Sequence, residues 1–313
     1  MKIISILLLA FLLISCSEIK LDNQPQSTSS AQYISVLGVA QDAGFPQAGC
    51  EKEQCRLFWE GKVEARHATS LGLIDQESGK FWMFEATPDF KYQLETIKKL
   101  KSGTVLGGIF LTHAHIGHYT GLMNLGTEVM GGSNAPVYAM PRMKNFLTTN
   151  GPWSQLINYG NISISELKAD SAFQISDQIR VTPFLVPHRD EFSETVGYRI
   201  ESDSKSVLFI PDINKWEVWD RSIIDEIAKV DYALLDATFF DSDELPGRNM
   251  SDIPHPFVEE SIALFKDLPV SEKSKIIFIH FNHTNPLILD SRERTHVESL
   301  GFKVAYEGMR IEL

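Results

Sequence analysis

From residue 33 onward two patterns of apolar and polar positions alternate along the chain. Short, continuously apolar runs at Phe184–Val186, Val207–Ile210, Ala233–Leu235 and Ile276–Ile279 predict strands buried on both faces. Between such runs lie stretches of helical spacing. Leu94, Ile97 and Leu100 recur at three-residue steps, with Phe90 four positions before the first and Thr87-Pro88-Asp89 as a start signal. Ile223, Ile224, Ile227 and Ala228 predict a second amphipathic helix, and Phe257, Ser261, Ile262 and Phe265 a third. The alternation indicates an α/β architecture. No repeat of fixed period and no second low-complexity linker interrupts it.

The residues just past the apolar runs are chemically informative. Ile109-Phe110-Leu111-Thr112 leads into His113, and Phe184-Leu185-Val186-Pro187 into His188. Val207-Leu208-Phe209-Ile210-Pro211 leads into Asp212, and Ile276-Ile277-Phe278-Ile279 into His280. Metal-type ligands delivered at the carboxyl ends of buried strands are how α/β sheets build active sites.

The amino terminus obeys a different rule. Met1-Lys2 precedes a run to Ile14 that is apolar except for Ser5, too short to span a bilayer as a mature helix, which reads as a secretory signal peptide over residues 1–15. The run ends in Leu13-Ile14-Ser15-Cys16, which resembles the lipobox of bacterial lipoproteins, with Cys16 as the lipidated residue. The polar segment to residue 32 then reads as a tether, and residues 33–313 as the folded domain. The expectation is an exported, lipid-anchored protein of the cell envelope, on the periplasmic or outer-membrane side.

Composition narrows the class. Hydrophobic residues make up 43% of the 313 and charged residues 22%, enough apolar material for a sizeable core. Asp plus Glu number 41 against 29 Lys plus Arg, and a formal net charge of -12 gives no general attraction for a phosphate backbone. Nucleic acid is therefore not an expected partner. Three cysteines make no disulfide framework, and with only nine histidines their placement matters.

Three of those histidines fall within Thr112-His113-Ala114-His115-Ile116-Gly117-His118. Neutral imidazole is the commonest ligand for zinc-like ions, and a turn after a strand can aim alternate side chains at one point. The segment resembles the His-x-His-x-Asp-His signature of the metallo-β-lactamase superfamily, and His188, Asp212 and His280 come next in that family's order. The resemblance implies an αββα sandwich of two mixed β-sheets flanked by helices, with a metal site along one edge. It also implies His113, His115 and His188 around a first divalent ion, Asp212 as a bridge, and His118 and His280 serving a second. Zinc is the expected metal, with manganese or iron as alternatives. Gly117 stands where the family has an Asp that ligates the second ion, so the first position is expected to be tighter.

Further matches resemble the pyrroloquinoline quinone biosynthesis protein B subgroup and its PhnP-type cyclic phosphodiesterase relatives. They include Val36-Leu37-Gly38, Gly44-Phe45-Pro46-Gln47, Ala86-Thr87-Pro88-Asp89, Asn282-His283-Thr284-Asn285-Pro286 and the ending Ala305–Leu313. In the quinone subgroup the histidine cluster is degraded and the protein is cytoplasmic, whereas here the three histidines are present behind a signal-like leader. In these relatives a Cys-x-Cys-x-x-Cys triplet and a later His make a structural zinc site. Cys50, Cys55 and His283 match three of its members, while Lys52 occupies the middle position. A zinc site, a Cys50–Cys55 disulfide and two free thiols all remain open. The missing fourth ligand counts against zinc, and a bridge suits an exported protein, which puts the disulfide first.

His255, in Asp252-Ile253-Pro254-His255-Pro256, matches a His that in the phosphodiesterase relatives contacts substrate phosphate and donates a proton to the leaving group; a helix-capping or surface role is the alternative. Asp236 is a candidate carboxylate behind a ligand His. His67 and His296 have no such context. Trp216, Trp219, Phe239 and Phe240 are candidate pocket residues more often found in cores, and Arg189 and Arg248 are candidate anchors for an anionic substrate. The leading reading is a metal-dependent hydrolase acting on a phosphodiester or other small ester, with Asp212 and His255 as catalytic residues. A bound ion lowers the pKa of water from about 15.7 to about 7. The alternatives are an iron-dependent oxidative enzyme and a non-catalytic binding lipoprotein.

Overall fold

The computed structural model describes residues 30–313 apart from Arg248. The leader, Cys16 and Arg248 lie outside the described residues. The strands are β1 (Gln32–Gly38), β2 (Ser70–Asp75), β3 (Lys80–Phe84), β4 (Val105–Phe110), β5 (Ala135–Ala139), β6 (Ile162–Glu166), β7 (Phe173–Gln174), β8 (Arg180–Leu185), β9 (Val196–Glu201), β10 (Ser206–Ile210), β11 (Tyr232–Asp236), β12 (Ile276–Ile279), β13 (Lys303–Val304) and β14 (Arg310–Glu312). The helices are α1 (Glu53–Trp59), α2 (Phe90–Leu100), α3 (Ile116–Tyr119), α4 (Pro141–Thr149), α5 (Trp153–Asn158), α6 (Ile223–Ala228), α7 (Val258–Phe265), α8 (Val270–Lys273) and α9 (Arg292–Ser299).

The strands form two seven-stranded sheets, ordered β14-β1-β2-β3-β4-β5-β6 and β13-β12-β11-β10-β9-β8-β7. In the first, β14 to β3 pair antiparallel and β3 to β6 parallel. The second repeats this in mirror order, with β13 to β10 parallel and β10 to β7 antiparallel. Helices cover the outer faces, giving the αββα sandwich of mixed sheets that the family resemblance implies.

Period-two alternation puts each strand's side chains into two different cores. On β3, Trp82 and Phe84 face the second sheet, while Phe81 and Met83 pack under α2 with Phe90, Leu94 and Ile97. Between the sheets, Phe84 stacks on Phe110 with ring centroids 5.0 Å apart, and Phe110 on Tyr138 at 4.4 Å. Tyr198 of the opposite sheet meets Phe84 and Phe110 edge-on. Gly197, beside Tyr198, makes room for the ring of Phe184 on β8: a Cβ there would lie 2.5 Å from Phe184 Cζ.

Four local expectations are corrected. Leu185 is 47% exposed, so Phe184–Val186 is not buried on both faces; β8 lies one strand from the edge of its sheet. Leu100 is 46% exposed at the last residue of α2, and Ala228 is exposed at the end of α6, because each helix turns its final residue off the core. The first strand starts one residue before the expected beginning of the folded domain at residue 33. Gln32 is buried in β1, and its side-chain amide donates to Asp75 Oδ1 at 3.3 Å.

Candidate metal centre

The ends of β4, β8, β10 and β12 converge on one rim of the sandwich. His113 Nε2 lies 2.8 Å from His115 Nδ1, which lies 3.2 Å from His188 Nε2. Asp212 Oδ2 lies 3.4 Å from His113 Nε2 and 3.3 Å from His188 Nε2. A tetrahedral ion with bonds of about 2.0–2.1 Å spaces its ligand atoms about 3.3–3.4 Å apart, and three of these four separations match closely.

The outward nitrogens fix the tautomers. Thr112 gives its only hydroxyl proton to Glu85 Oε1, so the 2.9 Å contact to His113 Nδ1 requires that nitrogen to donate. By the same logic Thr238 donates to Asp236 Oδ1 at 2.7 Å and accepts from His280 Nδ1 at 2.9 Å. His188 Nδ1 donates to Asn214 Oδ1 at 3.2 Å, and His115 Nε2 to Glu191 Oε2 at 3.1 Å. Each remaining imidazole nitrogen therefore points a lone pair inward, the arrangement by which outer partners orient ligand histidines. Three such lone pairs around one point repel unless a cation lies among them.

Protonation agrees. Burial, with the neighbouring His118 charge second, holds His113 well below the usual histidine range, and burial lowers His115 and His280. Burial pushes the Asp212 carboxyl up, but His188, His255 and His113 outweigh it and hold Asp212 well below the carboxylate range. Neutral imidazoles and an ionised carboxylate are the forms that bind a cation; His118, which burial lowers but Glu85 and Asp42 raise well above the histidine range, would give up its proton on binding one.

His118 and His280 stand beside this set, with ring centroids 5.4 Å apart. His118 Nε2 is 3.8 Å from Asp212 Oδ2 and 3.3 Å from Asp42 Oδ1. His118 Nε2, His280 Nε2 and Asp212 Oδ1 are buried without a hydrogen-bond partner. Buried polar groups are rarely left so, and orphans converging beside a carboxylate fit a divalent ion. His280 holds a left-handed φ of 71°, strain of the kind that collects at functional sites.

Two residues here escape sequence reasoning. Glu85, fully buried with a φ of 81°, supports His113 through Thr112 and lies 3.2 Å from His118 Nδ1. Its signal is its place directly after the apolar run Phe81–Phe84, the same placement that singles out the ligands. Asp42, in the turn after β1, carries no comparable signal.

His255 lies at the wall of a cavity of about 720 Å³. Its Nδ1 is 2.9 Å from Asp236 Oδ2 and 3.2 Å from Asp212 Oδ1. Phe239, Arg189 and Lys52 line the same cavity. Phe240, Trp216 and Trp219 belong to the core; Trp216 Nε1 donates to Ser261 and Trp219 Nε1 to the Leu185 carbonyl. His67 Nδ1 pairs with Glu307 at 3.0 Å, and His296 is exposed on α9.

Cys50 and Cys55 are free thiols, so the disulfide put first from the sequence is not formed. Their sulfurs and a His283 ring nitrogen lie within 4.8 Å of one another, so the thiols face a shared point that includes an imidazole. Burial, then the adjacent Cys50 thiol, pushes Cys55 up to about 11.

Fold and site together define a metallo-β-lactamase-type αββα scaffold with candidate metal-binding histidines and carboxylates at one rim. The family model described as the beta-lactamase superfamily domain matches residues 82–281, and the chain belongs to that superfamily. Among curated proteins it is similar to coenzyme PQQ synthesis protein B of Acinetobacter baylyi, 29% identical over 309 residues that cover 90% of this chain and 99% of that protein. The Pseudomonas protegens protein of that name is 27% identical over 90% of this chain and 100% of its own length. Among solved structures, Zn(2+)-bound PqqB from Methylobacterium extorquens shares the fold at a TM-score of 0.75 and 24% identity, covering 90% of this chain and all of that one. A diphosphatase from the PhnP family shares it at 0.61 and 21%, covering 90% and 97%.

Proposed function

We propose that the protein is a metal-dependent hydrolase of small anionic esters, a phosphodiester or diphosphate being the preferred class. The observation that carries this reading is the inward-facing ligand set of His113, His115, His188 and Asp212, bordered by His255 at the wall of an open cavity. A divalent ion held by these residues would supply Lewis acidity and a water-derived nucleophile at neutral pH.

The chain's own groups do the rest. Asp212 holds its charge against the ligand imidazoles. Glu85, Asn214, Glu191 and Asp236 fix ring orientations from behind. His255, which burial lowers but Asp236 and Asp212 raise to about 9, is suited to give a proton to a departing oxygen. Lys52 and Arg189 line the same cavity together with Glu51 and Asp252, so the two cations are individual anchoring groups for an anionic substrate in a wall of mixed charge.

A panel of phosphodiesters and diphosphates, assayed with wild type and His113→Ala after metal analysis, tests the reading. Zinc or manganese with turnover lost in the variant supports it; equal turnover by both proteins sinks it. An oxidative enzyme using iron at the same ligands is the second reading. It rests on the PQQ-synthesis relatives, and His-plus-carboxylate sets suit iron as well as zinc. Iron in the purified protein with no esterase activity would select it, and a metal-free protein would leave a binding role.

Export and lipid anchoring complete the proposal, supported by the apolar leader and Cys16. Labelled fatty acid should enter the wild type and not Cys16→Ala.

A further inference from the structure

We propose that Asp42 is a direct ligand of a second divalent ion, held with His118, His280 and the shared Asp212, in place of the carboxylate that position 117 lacks. The inference rests on the metal-dependent reading above and adds to it a residue far from the histidine cluster in sequence.

Three observations carry it. Asp42, His118 and His280 present ligand atoms that all lie within 4.8 Å of one another, with Asp42 Oδ1 3.3 Å from His118 Nε2. The facing nitrogens, His118 Nε2 and His280 Nε2, are both buried and without a hydrogen-bond partner. On its far side His118 meets Glu85, so the Asp42 side is the one open to an ion.

Asp42 is also held in place by the strand that carries His280. Phe281 N–H donates to the Val39 carbonyl at 2.8 Å, and Gln41 N–H to the Phe281 carbonyl at 2.8 Å. Asp42 itself takes a left-handed φ of 39°, which Asp and Asn tolerate better than most residues.

Gly117 accounts for the exchange. A Cβ at 117 would lie 2.2 Å from Asp42 Cα and 2.7 Å from Asp42 Oδ1. The first contact is with backbone, so no side chain at 117 can coexist with this turn. Glycine there is the opening through which a carboxylate from the β1 turn reaches the site. The two positions exchange roles: the chain gives up a ligand at 117 and recovers one at 42. The second position, expected from Gly117 to be the weaker, thereby regains a carboxylate.

The test is metal stoichiometry. Apo-protein is reloaded with Zn²⁺ or Mn²⁺, desalted, and analysed for metal per chain, with a chelator competition to give affinities. Asp42→Gly and Asp42→Asn are the variants: glycine accepts the left-handed φ and removes the donor, and asparagine keeps shape but not charge. Wild type should hold two ions. Both variants should hold one tightly, with the second weakened at least tenfold, while His188→Ala should disturb the other ion. Two ions of unchanged affinity in both Asp42 variants overturn the inference and leave the metal reading standing, as does a wild type that holds one ion. A wild type holding none overturns both.

Discussion

Asp236 Oδ2 accepts from the Ile213 backbone N–H at 3.0 Å and lies 2.9 Å from His255 Nδ1. One fully buried carboxylate thus positions the candidate proton donor and the residue next to Asp212, while its other oxygen accepts from Thr238, which orients His280. If His255 delivers a proton and does not hold the ion, His255→Ala should lower kcat about 10²–10⁴-fold with metal content unchanged. Parallel kinetics and metal analysis separate these outcomes, and metal lost along with activity would contradict the assignment.

Glu85 is the buried support behind two histidines, and outer partners of this type contribute about 10–100-fold to metal affinity. Glu85→Gln, which keeps the size and drops the charge, should weaken binding by that factor in a chelator titration. A variant with wild-type affinity would remove Glu85 from the site's machinery.

His67 offers a pH test away from the centre. Its backbone N–H and its Nδ1 both contact Glu307, the first at 2.6 Å and the second at 3.0 Å. The Glu307 hydrogen bond raises its pKa above 6.5 against the opposing effect of burial. A folded-state pKa above the unfolded one stabilises fully below the unfolded value and is lost as pH rises through the folded value. The Tm advantage of wild type over Glu307→Gln should therefore be largest below about pH 6.5 and shrink on the alkaline side. A constant difference across that range would contradict the pairing.

Phe84 joins the two sheets by stacking on Phe110 and meeting Tyr198 and Phe209 edge-on. Its truncation to Ala should cost about 3–5 kcal/mol, read from the shift of the urea midpoint. A loss under about 1 kcal/mol, below the range for such truncations, would show that the aromatic cluster collapses to fill the space.

The free thiols differ in access. Cys55 is fully buried with its pKa pushed up to about 11, and Cys50 is half-buried. The thiolate is the reactive form, so iodoacetamide at about pH 8, near the pKa of a free thiol, should label Cys50 well before Cys55 in the native protein. Mass spectrometry of the peptides checks the order.

Much of this architecture is legible along the chain, because a run such as Val207–Ile210 or Ile276–Ile279 needs burial on both faces and a ligand after it stands out. The three helical stretches are readable for a similar reason: their apolar spacing is imposed by the sheet they cover. Leu185 and Ala228 show the limit, since a strand near an edge and the last turn of a helix lose burial that local pattern cannot report. Asp42 shows a second limit. Gln41-Asp42-Ala43-Gly44 reads as an ordinary polar turn, and only docking of β1 beside Phe281 brings its carboxylate to His118. Thr112 and Thr238 are similar: a hydroxyl beside a ligand is common, and its function depends on a buried acid that only the fold supplies.

The ligand candidates are divided between the two sheets. Asp42, His113, His115 and His118 leave the first; His188, Asp212 and His280 leave the second. An ion gripped by both groups is therefore a cross-link between halves of a domain that has no disulfide among its described residues. It closes a very long loop and favours the native state by mass action. Stripping it should lower the melting temperature, so for this fold loss of the ion and loosening of the two halves are one event.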